Sequence, residues 1–242
     1  MIGLPDHVTT CLFDLDGVLT STAEQHRAAW KETFDAFLRT RDGFQEFTDD
    51  DYNSYVDGRP RYDGVRSFLA SRGIDLPEGE PSDPSTANTV HGLGNRKNDL
   101  INKIISEGGV KSYPGSVRYL EAARDAGLRI GVVTSSANGA AVLEAADLAK
   151  FVEARIDGVV INERGLRGKP APDSFLAGAE ALDVEPANAA VFEDALSGVQ
   201  AGRAGNFGYV IGVDRVGQTE ALREQGADVV VTDLAQLLED NR

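Results

Sequence analysis

The segment VTTCLFDLDGVLT, residues 8–20, decides how the rest of the chain is read. Its first half, Val8 to Phe13, is a short β-rich apolar run of the kind buried on both faces of a parallel sheet. Its second half changes character: Asp14, Leu15, Asp16 and Gly17 put two carboxylates and a turn former where the strand stops. Ligands of open parallel sheets bind outside the carboxyl ends of the strands, so a strand that ends in acids is a candidate for chemistry.

Outward from this segment, the same kind of strand recurs only after a long gap. From Lys111 onward, LRIGVVT (128–134), RIDGVVI (155–161), AAVFED (189–194), YVIGVD (209–214) and ADVVV (227–231) read as strands. Between them VRYLEAARDAG, AAVLEAADLAKF, PDSFLAGAEALD, SGVQAGRAG and TEALREQG carry helical spacing, several stopping at Gly. This alternation predicts an α/β fold, a Rossmann-like open parallel sheet with right-handed crossovers. Residues 22–110 read as helical instead. AEQHRAAWKETFDAFL places Trp30, Phe34, Phe37 and Leu38 on one face, and a polar loop, PEGEPSDPST (77–86), interrupts the later helices of this stretch. The expected organisation is a discontinuous α/β core, 1–21 and 111–242, with a helical domain, 22–110, inserted after the first strand.

Charge narrows the function. Twenty-four Lys and Arg face 39 Asp and Glu, a formal net charge of −15, which leaves little for the basic face that a nucleic acid or membrane surface requires. Neither partner is expected. The single cysteine, Cys11, removes any intramolecular disulfide framework and fits a reducing compartment. No apolar run approaches the roughly 18–20 residues of a membrane span, and MIGLPDHVTT lacks the basic start and apolar stretch of a signal peptide. A cytoplasmic protein is the expectation, with a monomer favoured.

The strand ends then give the chemistry. Asp14 and Asp16 follow the first strand, Thr134, Ser135 and Ser136 end the second, and Glu193 and Asp194 end the fourth. Carboxylates converging on one edge repel and raise one another's pKa values. A hard cation with oxygen ligands relieves this, and Mg²⁺ suits a small acidic set that also holds a phosphate. Asp14-Leu15-Asp16-Gly17 is not the start of a calcium loop, because Val18 stands at the third acidic position, no Glu closes a twelve-residue loop, and a strand precedes it. Taken alone it is also ordinary turn chemistry. Two other stretches read as structural: Asp49-Asp50-Asp51 after Thr48 as helix capping, and Gly92-Leu93-Gly94 as too incomplete for a dinucleotide loop.

In combination these residues resemble the four motifs of the haloacid dehalogenase (HAD) superfamily, in order: Asp14-Leu15-Asp16-Gly17-Val18-Leu19-Thr20, Thr134, Lys169 within Gly168-Lys169-Pro170-Ala171-Pro172-Asp173, and Glu193-Asp194. Within that superfamily the chain is most similar to the β-phosphoglucomutase family, through Thr22-Ala23-Glu24-Gln25-His26, Trp30-Lys31, Arg96-Lys97-Asn98-Asp99, Tyr113-Pro114-Gly115 and Ser136-Ala137-Asn138-Gly139. The resemblance implies a HAD core with a helical cap.

It also implies roles. Asp14 becomes the nucleophile that carries an aspartyl phosphate, and Asp16 the general acid/base. Mg²⁺ sits on the Asp14 side chain, the Asp16 main-chain carbonyl, Glu193 and Asp194. Thr134 and Lys169 hold the transferring phosphoryl group, Ser135 is a further phosphate-binding residue, and Ser136 and Asn138 join the grip on the other phosphate. On the cap, Arg61, Lys97 and Asn98 grip the other phosphate, with Arg59 a rival for Arg61. His26 couples cap closure to Asp16, Thr22 is the hinge into the cap, and Trp30 reads first as core. The sequence departs from the resembled enzymes at Ala137, where they carry a lysine, and in a cap that is longer around 41–57 and 77–95.

The activity implied is interconversion of β-D-glucose 1-phosphate and glucose 6-phosphate through glucose 1,6-bisphosphate. A sugar-phosphate phosphatase shares the first half-reaction and hands the phosphoryl group to water. A sugar-phosphate binding module needs neither Asp14 nor Asp16, and both are present.

Overall fold

The computed structural model describes residues 2–239. The chain divides into two compact units, Met1–Ser21 with Val110–Arg242, and Thr22–Gly109. The first is an α/β unit around one sheet. Its strands are β1 (Thr10–Phe13), β2 (Arg129–Val133), β3 (Ala154–Ile156), β4 (Ala189–Glu193), β5 (Tyr209–Val213) and β6 (Val229–Val231), in the order β3-β2-β1-β4-β5-β6. Every neighbouring pair is parallel. Strands β1 and β4 are buried along their whole length, which is why they read as unbroken apolar runs rather than as alternating ones.

Register aligns the strand ends. Phe13 lies level with Val132 of β2 and with Phe192 of β4, so Asp14, Thr134 and Glu193 come off the same edge of the sheet within one residue of each other. Beneath that edge Phe13 stacks on Phe192 at 4.3 Å between ring centroids and meets Tyr119 edge-on at 6.2 Å. Each such fully buried aromatic is worth roughly 1.5–3 kcal/mol in removed apolar surface, so the floor beneath the strand ends is rigid. Helices Pro114–Asp125, Asp173–Ala181 and Leu196–Ala204 cover the sheet.

One predicted strand is corrected. RIDGVVI holds only the end of β3, and from Gly158 it is a helix, Gly158–Glu163. Asp157 decides the switch: its carboxylate accepts from the amides of Val159 and Val160 and from Arg155 Nε, capping a helix in a stretch whose composition favours a strand.

The regular elements of the second unit are helical, with helices Thr22–Leu38, Arg61–Ser71 and Val90–Gly108 joined by loops. A capped turn at Asp49–Asp51 runs into a π-helical segment, Tyr52–Val56, and the cap is reciprocal between Thr48 and Asp51. Phe34 is the centre of its core, within 5.1 Å of the Trp30 and Phe47 rings and 4.2 Å of Phe68. Trp30 is thus a core residue, as its helical spacing suggested. Among the described residues no helix is long and apolar enough to cross a membrane.

Candidate active site

Asp14, Glu193 and Asp194 each present a carboxylate oxygen within 4.8 Å of the others, and all three are buried. Glu193 is the last residue of β4, and Asp14 and Asp194 directly follow β1 and β4, so the parallel sheet itself assembles them. Glu193 is sealed from below: its Oε2 accepts from the Ala195 amide at 3.0 Å, and a Cβ on Gly198 would lie 1.8 Å from its Oε1. Gly198 is therefore glycine because helix Leu196–Ala204 passes against that carboxylate.

Lys169 closes the cluster. Its Nζ donates to Asp14 Oδ1 at 2.6 Å, Glu193 Oε1 at 2.5 Å and the Val133 carbonyl at 3.2 Å, and its side chain is wholly buried. The lysine precedes a cis peptide bond to Pro170. Burial works against its charge, but Asp14 and Glu193 outweigh it and hold the ammonium protonated. Burial also raises the Asp14 carboxyl well above the usual range, with Glu193 and Asp16 adding to the rise and Lys169 opposing it. Three buried carboxylates against one ammonium form an oxygen-rich, electron-rich set that fits a hard divalent cation.

The Asp16 carboxylate stands outside that trio and faces the second strand end. Thr134 Oγ1 donates to Asp16 Oδ2 at 3.3 Å, while the Ser136 amide donates to Thr134 Oγ1 at 3.1 Å. The loop continues through Ser135 to Asn138, whose amide donates to Ser136 Oγ at 3.2 Å before helix Gly139–Ala145 begins. Gly158 packs against this loop so closely that a Cβ there would lie 2.7 Å from the Ser135 carbonyl, and its amide donates to the Ser136 carbonyl at 2.9 Å. Ala137 occupies the loop position between Ser136 and Asn138.

The helical unit gathers the remaining candidates in two groups. His26 Nδ1 and Lys97 Nζ are 2.7 Å apart, and the ammonium lies 5.1 Å from the centre of the Trp30 ring. Asn98 follows Lys97 on helix Val90–Gly108, and Thr22 is the first residue of helix Thr22–Leu38. Arg61 opens helix Arg61–Ser71; its Nη2 donates to the Tyr62 hydroxyl at 2.9 Å, which donates to Asn95 Oδ1 at 2.9 Å. Arg59 lies just upstream, outside the helix.

The haloacid dehalogenase-like hydrolase family matches residues 8–206, which span both units. The chain belongs to that family. Among relatives of this haloacid dehalogenase-like hydrolase, the β-phosphoglucomutase of Mycobacterium bovis is 57% identical, over 98% of this chain and 94% of the relative. The β-phosphoglucomutase of Bacillus subtilis is 30% identical, over 93% of this chain and 90% of the relative. In three dimensions the β-phosphoglucomutase of Clostridium difficile superposes with a TM-score of 0.77 at 25% identity, over 95% of this chain and 93% of that one.

Sequence reading missed several residues that touch these groups. Tyr62 and Asn95 carry no motif, and only their helical positions near Arg61 could have marked them. Arg215 and Gln218 lie just past the end of β5, on the same strand-end edge as the acids, and topology alone could have drawn attention to them.

Proposed function

We propose that this haloacid dehalogenase-like hydrolase is a β-phosphoglucomutase, interconverting β-D-glucose 1-phosphate and glucose 6-phosphate through glucose 1,6-bisphosphate. The observation that carries the reading is the 57% identity, along nearly the whole chain, to a β-phosphoglucomutase. The strand-end cluster of Asp14, Lys169, Glu193 and Asp194 supports it chemically.

In this reading Asp14 begins as the aspartyl phosphate. Asp16 takes the proton of the C6 hydroxyl of β-glucose 1-phosphate, that oxygen attacks phosphorus, the Asp14–phosphorus bond breaks, and glucose 1,6-bisphosphate forms. After the bisphosphate turns over, an Asp14 carboxylate oxygen attacks the C1 phosphorus, the bond from phosphorus to the sugar oxygen breaks, Asp16 returns the proton to that oxygen, and glucose 6-phosphate leaves the restored aspartyl phosphate. Splitting the transfer in two lets one site handle both ends of the sugar. Lys169 and Thr134 hold the transferring phosphoryl group, Thr134 also orienting Asp16 through their hydrogen bond. Asp14, Glu193, Asp194 and the Asp16 main-chain carbonyl hold Mg²⁺, which when bound neutralises charge on the phosphoryl oxygens. Arg61, Lys97 and Asn98, with Ser136 and Asn138, take the second phosphate.

Phosphorus NMR of the enzyme with Mg²⁺, β-glucose 1-phosphate and a trace of bisphosphate tests the proposal. Accumulating glucose 6-phosphate is the expected result. Inorganic phosphate alone means a phosphatase, and turnover retained in Asp14→Asn overturns the nucleophile assignment.

A further inference from the structure

The loop after β5 belongs to none of the four motifs, yet it reaches two of them. Asp214 organises it: its Oδ1 accepts from the amides of Val216, Gly217 and Gln218 at 2.7–3.1 Å, and its Oδ2 from the Thr219 hydroxyl. The loop so fixed presents two side chains. Arg215 donates from Nε to the Gly17 carbonyl at 2.9 Å, from Nη1 to the Thr232 carbonyl at 2.7 Å and from Nη2 toward the Val18 carbonyl at 3.4 Å. Its guanidinium lies 3.7 Å from the centre of the Tyr113 ring. Gln218 Nε2 donates to the Asp194 carbonyl at 2.9 Å.

These two holds converge on one contact. Gly17 has φ +97°, and a Cβ there would lie 1.8 Å from Asp194 Oδ2, so the turn after Asp16 is pressed against the Asp194 carboxylate. Arg215 fixes the turn from one side and Gln218 fixes Asp194 from the other. Ser116 adds a second donor to the Val18 carbonyl, at 2.7 Å.

We infer that Arg215 is a positioning residue for the phosphoryl-transfer chemistry, holding the Asp16-Gly17 turn in place against Asp194, with Tyr113 as the shelf for its guanidinium. This role rests on the functions proposed for Asp14 and Asp16. Only arginine meets the geometry, since its planar fork reaches three carbonyls while stacking on a ring, and an ammonium cannot do both. It also gives Tyr113, part of the Tyr113-Pro114-Gly115 resemblance, a task that no catalytic motif assigns to it.

The test is steady-state turnover of β-glucose 1-phosphate by Arg215→Lys and Arg215→Ala, at a temperature where circular dichroism shows each variant folded. Displacement of a catalytic group by about an ångström costs on the order of a hundredfold, so kcat is expected to fall about ten- to a hundredfold with KM little changed. Millimolar guanidinium, far below the molar concentrations that unfold proteins, is expected to restore part of the Arg215→Ala rate. Arg215→Lys with wild-type kcat overturns the inference, as does an Arg215→Ala loss that guanidinium leaves unrecovered. Should Arg215→Ala fail to fold, kcat of Arg215→Lys decides. Failure of the functional reading is distinguishable, because wild type would then hydrolyse an aryl phosphate without isomerising the sugar. The same variants and the same rescue are scored on that hydrolysis, which uses the same Asp14.

Discussion

Lys169 is wholly buried, and among the described residues its ammonium meets two carboxylates, the Val133 carbonyl and the face of Phe175, 4.8 Å from the ring centre. A buried ion pair contributes little over an apolar replacement of the whole set, but removing one member strands the rest. Lys169→Met leaves Asp14 and Glu193 facing each other without a counter-charge. Its metal-free form is expected to lose about 3–5 kcal/mol of stability, a penalty of the size seen when one partner of a buried pair is deleted. Added Mg²⁺ is expected to return part of that loss and none of the turnover. Urea unfolding with and without chelator measures the first outcome, and a phosphoryl-transfer assay the second. Asp14 stood out at residue level because a charged residue directly after an apolar strand has few structural reasons to be there, whereas Lys169 lies in the loop between helices Gly158–Glu163 and Asp173–Ala181, where only its motif marked it.

Elements carry the parts that sequence concealed. Helix Arg61–Ser71 starts with the arginine that motif matching singles out, but its side chain is held by neighbours that no motif names. Asn95 ties the Tyr62 hydroxyl to the carbonyls of Pro81 and Asp83, at 3.1 and 2.8 Å, so the polar loop before helix Val90–Gly108 reaches Arg61 through two side chains. Tyr62→Phe removes only the linking hydroxyl. It is expected to raise KM for the sugar phosphate severalfold while costing about 1 kcal/mol of stability or less, as one neutral hydrogen bond would. Kinetics alongside a thermal melt separate the two. The strand-to-helix change in RIDGVVI escaped sequence reading for a comparable reason. Short runs of valine and isoleucine fit either element, and the capping by Asp157 that decides between them is a three-dimensional contact.

The loop after β5 supplies a pH signature. Burial pushes the Asp214 carboxyl up, but the Thr219 hydroxyl and three backbone amides outweigh it and hold the group below the usual carboxylate range. A folded-state value below the unfolded one stabilises fully above the unfolded value, near 3.9, and is lost as pH falls through the lower folded value. Wild type is therefore expected to lose stability more steeply than Asp214→Asn between about pH 5 and about pH 3. Urea midpoints of the two proteins at both ends of that range show it, and parallel profiles would refute it.

At the scale of the whole molecule, charge and ligand are in tension. A formal charge of −15 surrounds a site proposed for a sugar phosphate. The cations argued to receive the phosphates, Lys169, Arg61 and Lys97, are few and individually placed, which is why bulk composition excluded polyanions without excluding a small phosphorylated sugar. The Debye length shortens from about 30 Å at 0.01 M salt to about 10 Å at 0.1 M, so long-range repulsion is damped within that range. The association rate of glucose 1-phosphate, measured by stopped flow at fixed Mg²⁺, is expected to rise over that interval. A fall would mean that a local cationic field dominates the approach.

Where the chain leaves the α/β unit and where it returns, the two crossings are paired. Thr20 bridges Ser112 in antiparallel sense, the Ser21 amide donates to the Lys111 carbonyl at 2.9 Å, and the Tyr113 amide donates to the Leu19 carbonyl at 3.0 Å. The helical unit, Thr22–Gly109, is thus spliced into the open end of a short hairpin rather than strung between two independent tethers. Closing a long loop costs chain entropy that grows only slowly with its length, and a base already stapled by backbone hydrogen bonds makes that cost nearly indifferent to what fills the loop. The insertion point is expected to act as a socket, where inserts of other sizes can be exchanged while the strand ends that bear Asp14 and Glu193 keep their register.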